Sequence, residues 1–111
     1  MKLRWHCKTG WPSNQTELAA RVSAFGRADR VSAWKVGITN APQVRERQYV
    51  RAGLHYDEMI VLYRSSSREH VLSMESEIIH GWRDTLDNAN AGWGGPRPAG
   101  PHYVYLVVRR R

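Results

Sequence analysis

Cysteine and phenylalanine occur once each in these 111 residues, and no long apolar run occurs at all. A lone Cys7 cannot close a disulfide within the chain, which argues against the secreted disulfide scaffolds and fits a reducing compartment. No apolar stretch approaches the roughly 18 residues that span a bilayer, and MKLRWHCKTGWP has nothing like the apolar core of a signal peptide. The expectation is a cytoplasmic chain without a membrane partner. Acidic side chains are scarce in one half only: residues 1 to 54 hold 10 basic and 3 acidic groups, whereas residues 55 to 111 hold 7 of each. The formal charge of +7 therefore arises in the first half. Two readings fit it, a polyanionic partner with nucleic acid first, or scattered arginines that keep the surface soluble.

A chain of this length has room for one domain, 1–111, with one modest core. Residues 2 to 12 are short, mixed and punctuated by Gly10 and Pro12; they read as an edge strand with Trp5 and Trp11 packing on the body. Asn14 and Glu17 resemble a capping box, and Leu18, Val22 and Phe25 recur at helical spacing up to Gly26, so a helix is expected over 14–25. Residues 1–30 are thus expected to form a largely helical extension to a core over 34–108. In that core Trp34, Val36 and Ile38 alternate with Lys35, Gly37 and Thr39, the period of a half-buried strand. Pro42 suits the first turn of a helix over 41–52 that carries Arg45, Arg47 and Arg51. MIVLYR at 59–64 reads as a strand, Ser66 and Glu69 as the capping box of a helix over 67–84, and HYVYLVV at 102–108 as a closing strand. Between them, residues 87–101 form a loop rich in Gly, Pro and Asn, with Trp93 and Arg97 available to stack on a base or simply to face solvent. The fold class expected is α+β, a small, mainly antiparallel three-stranded sheet flanked by about three helices.

At about 100° per residue, the third helix gathers Val71, Leu72, Met74, Ile78, Ile79, Trp82 and Leu86 on one stripe, and Glu75 falls near its middle. An unpaired carboxylate buried there costs several kcal/mol, so Glu75 needs a metal ion, a cationic partner or a cleft. A core-facing arginine, or snorkelling at the stripe's edge, would satisfy it equally well. His6, His55, His70, His80 and His102 show no spacing diagnostic of zinc.

WKVGITNAPQVRERQY at 34–49 resembles the second signature of the GIY-YIG nuclease superfamily, in its branch with a KIGIT-type motif followed by Asn-x-Pro and a helix-borne arginine. The resemblance implies a turn glycine at Gly37 that lets strand and helix approach, and an arginine at Arg45 directed to the scissile phosphate. Lys35 stands where the signature's tyrosine usually does, to contact phosphate or to point outward. Tyr49, one turn beyond Arg45, is either a site residue or a core aromatic. Arg47 and Arg51 lie along the same helix as backbone contacts or as a solvated face. MESEII at 74–79 resembles the family's metal-binding helix and places the ligand for Mg²⁺ or Mn²⁺ at Glu75. Asn88 is similar to the asparagine that trails that helix, with Asn90 less well spaced. The departure lies at the first signature: RADRVSA stands where a Gly-Ile-Tyr strand belongs, while YVYLVV at 103–108 resembles it. The expectation is a permuted order, in which the C-terminal strand lies beside Trp34–Thr39 and supplies Tyr105, or Tyr103, as the active-site tyrosine.

Taken together, these residues imply metal-dependent hydrolysis of phosphodiester bonds, in DNA more than RNA. Glu75 would hold the cation, Arg45 and Lys35 the phosphoryl oxygens, and Tyr105 would help to activate water. Three other readings remain: a non-catalytic nucleic-acid-binding module of the same fold, a small basic RNA-cleaving toxin that uses no metal, and a protein-interaction domain.

Overall fold

The computed structural model describes residues 1–9, 15–26, 31–82 and 100–110. Its element order is β1 (Lys2–Thr9), α1 (Gln15–Gly26), β2 (Val31–Thr39), α2 (Pro42–Arg51), β3 (Glu58–Ser65), α3 (Arg68–Trp82) and β4 (His102–Arg110). The architecture is α+β: one sheet in the order β1-β3-β4-β2, with helices on both faces. Among the described residues, no helix is long and apolar enough to cross a membrane.

Two expectations need correction. The sheet has four strands, not three, and it is mixed, because β1 pairs in parallel with β3 from Lys2 opposite Glu58 onward. The first thirty residues therefore contribute an edge strand as well as a helix. The strand expected at 34–39 also begins earlier, at Val31, because β4 runs long enough to pair Val31 with Arg110.

The two central strands, β3 and β4, are buried on both sides over most of their length. This explains why they read as continuous apolar runs instead of alternating ones. On one face, Trp34, Val36 and Ile38 of β2, Ile60 and Leu62 of β3, and Val104, Leu106 and Val108 of β4 pack under Val22 of α1 and Val71, Met74 and Ile78 of α3. On the other, Met59, Tyr105 and Val107 pack with Tyr49 of α2 and with Tyr56, flanked by Met1 and Leu3.

Local chemistry sets the helix ends. Pro42 opens α2, and Thr39 Oγ1 accepts the Ala41 amide at 3.1 Å just before it. The chain leaves α2 through Gly53 at φ 70°, a left-handed conformation that glycine adopts without a Cβ penalty. In α3 the cap is Ser67, not Ser66: its Oγ accepts the His70 amide at 3.3 Å, while Ser65 Oγ accepts the Ser67 amide. Leu72 is 36% exposed, so the buried stripe of α3 is narrower than the spacing implied and centres on Val71, Met74 and Ile78. Glu75 consequently stands on the flank of that stripe, half-buried, not at its middle. Of the remaining stripe members, Leu86 and the Trp82 side chain lie outside the described residues.

Candidate functional site

β2 and β4 run antiparallel with Gly37 opposite Tyr105, and that pairing builds the centre of the site. A β-carbon at Gly37 would overlap Oη and Cζ of Tyr105 and lie 2.9 Å from its Cε1. The glycine thus makes room for a tyrosine ring laid across its strand. Tyr105 is buried, and its hydroxyl meets α2: Arg45 Nη1 donates to Oη at 3.2 Å, and Tyr49 Oη lies 2.9 Å away. Arg45 and Tyr49, one helical turn apart, therefore converge on a single oxygen. Tyr49 packs edge-on against both Tyr105 and Tyr56, with centroids at 6.1 and 5.7 Å, and the Lys35 ammonium sits 5.9 Å from the centre of its ring.

The electrostatics follow from this packing. Burial pushes the Tyr49 hydroxyl far above its ordinary value, and its Tyr105 neighbour adds to the effect. Tyr105 is also raised by burial, offset in part by the Arg45 charge and by the hydrogen bonds from Tyr49 and Arg45. Both hydroxyls keep their protons at neutral pH, so either can be the donor in the tyrosine pair, while Tyr105 Oη also accepts from Arg45.

Glu75 approaches from α3. Burial raises its carboxyl above the usual carboxylate range, and the nearby charges of Lys35 and Arg45 pull it partly back. Among the described residues none forms a hydrogen bond or ion pair with it, so its attraction to the two cations acts through space. Tyr105 in turn feels the Glu75 charge. Tyr49 and Tyr105 form a buried floor under the half-buried Lys35 and Arg45, and the half-buried Glu75, on the helix that covers the other face of the sheet, lies near enough for its charge to act on Lys35, Arg45 and Tyr105. Two positive charges and one negative attract an anion while keeping a carboxylate available for a cation.

The remaining expected site residues divide. Tyr103 faces the same side as Tyr105, two positions back in β4, but its ring meets Trp5 edge-on at 5.8 Å and does not join Arg45. Arg47 and Arg51 are exposed on α2. Asn88 lies outside the described residues, as do Asn90, Trp93 and Arg97. Trp5, expected to pack on the body, is instead 48% exposed.

Several basic groups serve the fold. Arg110 and Arg4 both reach Glu58, at 2.7 and 3.3 Å, and Arg109 donates to the His55 carbonyl while lying over Tyr56. Arg21 donates to the carbonyls of His6 and Leu62 and lies over Tyr63. One buried group had no sequence signal: His102, fully buried, accepts at Nδ1 from Asn40 Nδ2 at 3.1 Å on the face opposite Tyr105.

Comparisons of the chain with protein-family models, with curated proteins and with solved structures return no match.

Proposed function

We propose that this chain is a divalent-metal-dependent endonuclease that hydrolyses phosphodiester bonds in DNA, a GIY-YIG-like domain whose first-motif strand is displaced to the C-terminus. The observation that carries the reading is that Arg45 meets the Tyr105 hydroxyl over Gly37 while the half-buried Glu75 of α3 interacts electrostatically with Lys35 and Arg45. A structural polar network would account for Tyr49 and Tyr105 alone. It would not account for a half-buried carboxylate that is raised by burial and has no direct partner among the described residues.

Each residue then has a part. Lys35 and Arg45 bind the non-bridging oxygens of the phosphate and offset the charge that grows on them as the water adds. Tyr105, buried beneath Arg45, accepts from it and fixes the guanidinium for the phosphate. Because its hydroxyl is raised, Tyr105 keeps its proton and does not act as a phenolate base. Gly37 keeps the space that this ring needs.

Glu75 fits a hard divalent cation, Mg²⁺ or Mn²⁺, as a single carboxylate whose remaining coordination comes from water and from the bound phosphate. Such a cation would supply an acidified water and neutralise phosphoryl charge. With one protein carboxylate the site binds metal weakly until substrate arrives, which couples metal uptake to DNA binding.

The test is nicking of supercoiled plasmid and cleavage of branched DNA in Mg²⁺, Mn²⁺ or EDTA, with Arg45→Ala and Glu75→Ala as comparisons. Metal-dependent cleavage that both variants lose supports the reading. Salt-sensitive binding without cleavage would assign the chain to the non-catalytic modules, and cleavage of RNA in EDTA would assign it to the metal-free toxins.

A further inference from the structure

Trp5 is the one aromatic among the large apolar side chains left exposed in the described residues, and its place in the sheet is specific. Along β1, Leu3 and Trp5 share a face: Leu3 packs into the Tyr49–Tyr105 cluster, and Trp5 follows two residues on. Across the sheet the register runs Trp5, Val61, Tyr105, Gly37, so Trp5 lies in the same row as the tyrosine of the site. Two strand spacings separate Trp5 from Tyr105, about 10 Å. That is a reach of roughly three nucleotides at the rise of stacked bases.

Tyr103 completes the arrangement. It is half-buried, faces the same side, and meets the Trp5 ring edge-on at 81°. This contact holds the indole in place, so a flat ligand that stacks on it loses little side-chain freedom. In the register Tyr103 is opposite Arg64 on one side and Thr39 on the other, so the exposed Arg64 is a cross-strand neighbour of Tyr103. An exposed indole, a supporting tyrosine and a cross-strand arginine, in line with the phosphate-binding Lys35 and Arg45, match the needs of a strand with bases turned outward. In a duplex the ring faces of the bases are already stacked on one another, so an aromatic platform of this kind can take only an unpaired base.

We infer that Trp5 and Tyr103 form a base-stacking subsite for an unpaired DNA strand leading to Lys35 and Arg45, which makes the substrate a flap, fork or single strand. The inference rests on the proposed nuclease reading for its direction along the sheet face, but its binding step can be measured without cleavage. DNA is the strand in question because the proposed nuclease acts on DNA.

The experiment measures binding of fluorescein-labelled oligo(dT) and of a blunt hairpin duplex in EDTA by anisotropy. It compares the native chain with Trp5→Ala and Trp5→Phe, after thermal unfolding shows that each variant folds. Loss of one stacked base weakens oligo(dT) binding by about 5- to 150-fold in Trp5→Ala. Trp5→Phe recovers most of it, and duplex binding changes by less than about twofold because it rests on phosphate contacts. Equal affinity of Trp5→Ala and the native chain for oligo(dT), or an equal loss on the duplex, overturns the subsite. Oligo(U) bound more tightly than oligo(dT) overturns the commitment to DNA, and a native chain that binds neither strand form overturns the subsite as well. Cleavage is scored separately with Mn²⁺. Trp5-dependent binding without cleavage upholds the subsite and removes the nuclease, whereas cleavage indifferent to Trp5 does the reverse.

Discussion

Replacing Tyr105 by phenylalanine removes a single oxygen that two other side chains use, and its consequences can be worked through. Tyr49 Oη, 2.9 Å from it and buried, loses that hydrogen bond, and the Arg45 guanidinium loses the contact at 3.2 Å that fixes it. Leaving one buried partner short of a hydrogen bond costs about 1–3 kcal/mol. For a domain near this size that amounts to a fall in Tm of roughly 5–20 °C. Removing the Tyr49 hydroxyl as well takes away the stranded group, so the double variant Tyr49→Phe with Tyr105→Phe is expected to be more stable than the sum of the two single losses by about 1 kcal/mol or more. Thermal and urea unfolding followed by circular dichroism on all four proteins close the cycle. Additivity within about 0.5 kcal/mol would mean that the two hydroxyls do not meet, and the geometry of the site's floor would be refuted.

Three further outcomes follow from the same packing. Gly37→Ala drives a methyl group into the Tyr105 ring and is expected to destabilise the fold by about 1–3 kcal/mol, read as a lower urea midpoint; an unchanged midpoint would show that the ring does not lie across β2. Glu75 has a folded pKa above its unfolded value, so the native state holds that proton more tightly: the stability of the native chain relative to Glu75→Gln should fall as pH rises from about 4.5 through the raised value. Metal-dependent cleavage should rise over that same interval as Glu75 ionises, and a profile flat across it would count against Glu75 as ligand. Glu58 has the opposite sign. Burial raises its carboxyl, but the hydrogen bonds from Arg110 and Arg4 bring it below its ordinary value, so its contribution is present above about pH 4.5 and fades as pH falls through the lowered pKa. Both guanidiniums are partly solvated, so Glu58→Ala should cost no more than about 1 kcal/mol per pair, measured by unfolding at pH 7.

Much of this fold was legible because its signals are local. Pro42 and Gly53 bracket α2, and alternation marks β2. The burial problem that singled out Glu75 needed only the spacing along one helix, even though the exposure of Leu72 turned the stripe so that Glu75 stands at its flank. What stayed hidden depends on contacts between distant positions. β1 alternates, with Leu3, Trp5 and Cys7 between Lys2, Arg4, His6 and Lys8, and reads as an edge strand, but its parallel partner β3 lies more than fifty residues away and nothing local signals that pairing. The shared oxygen of Tyr49 and Tyr105 joins residues 56 apart, and no spacing along the chain signals it. Which of Tyr103 and Tyr105 meets Arg45 could not be read from the sequence, since both face one side of β4: α2 covers Tyr105, and Tyr103 packs against Trp5. The cap of α3 shifted by one residue for a similar reason, since consecutive serines 65–67 offer three candidate hydroxyls and the chain's turn selects Ser67.

The most direct test of the central claim is cleavage by the native chain and by Glu75→Gln, an isosteric change that removes the charge and should leave the protein at least as stable at neutral pH. The account expects Mg²⁺- or Mn²⁺-dependent strand scission by the native chain, none in EDTA, and none by Glu75→Gln although it still binds DNA with the same salt dependence. Cleavage by Glu75→Gln at the native rate, or native cleavage that persists in EDTA, would contradict it.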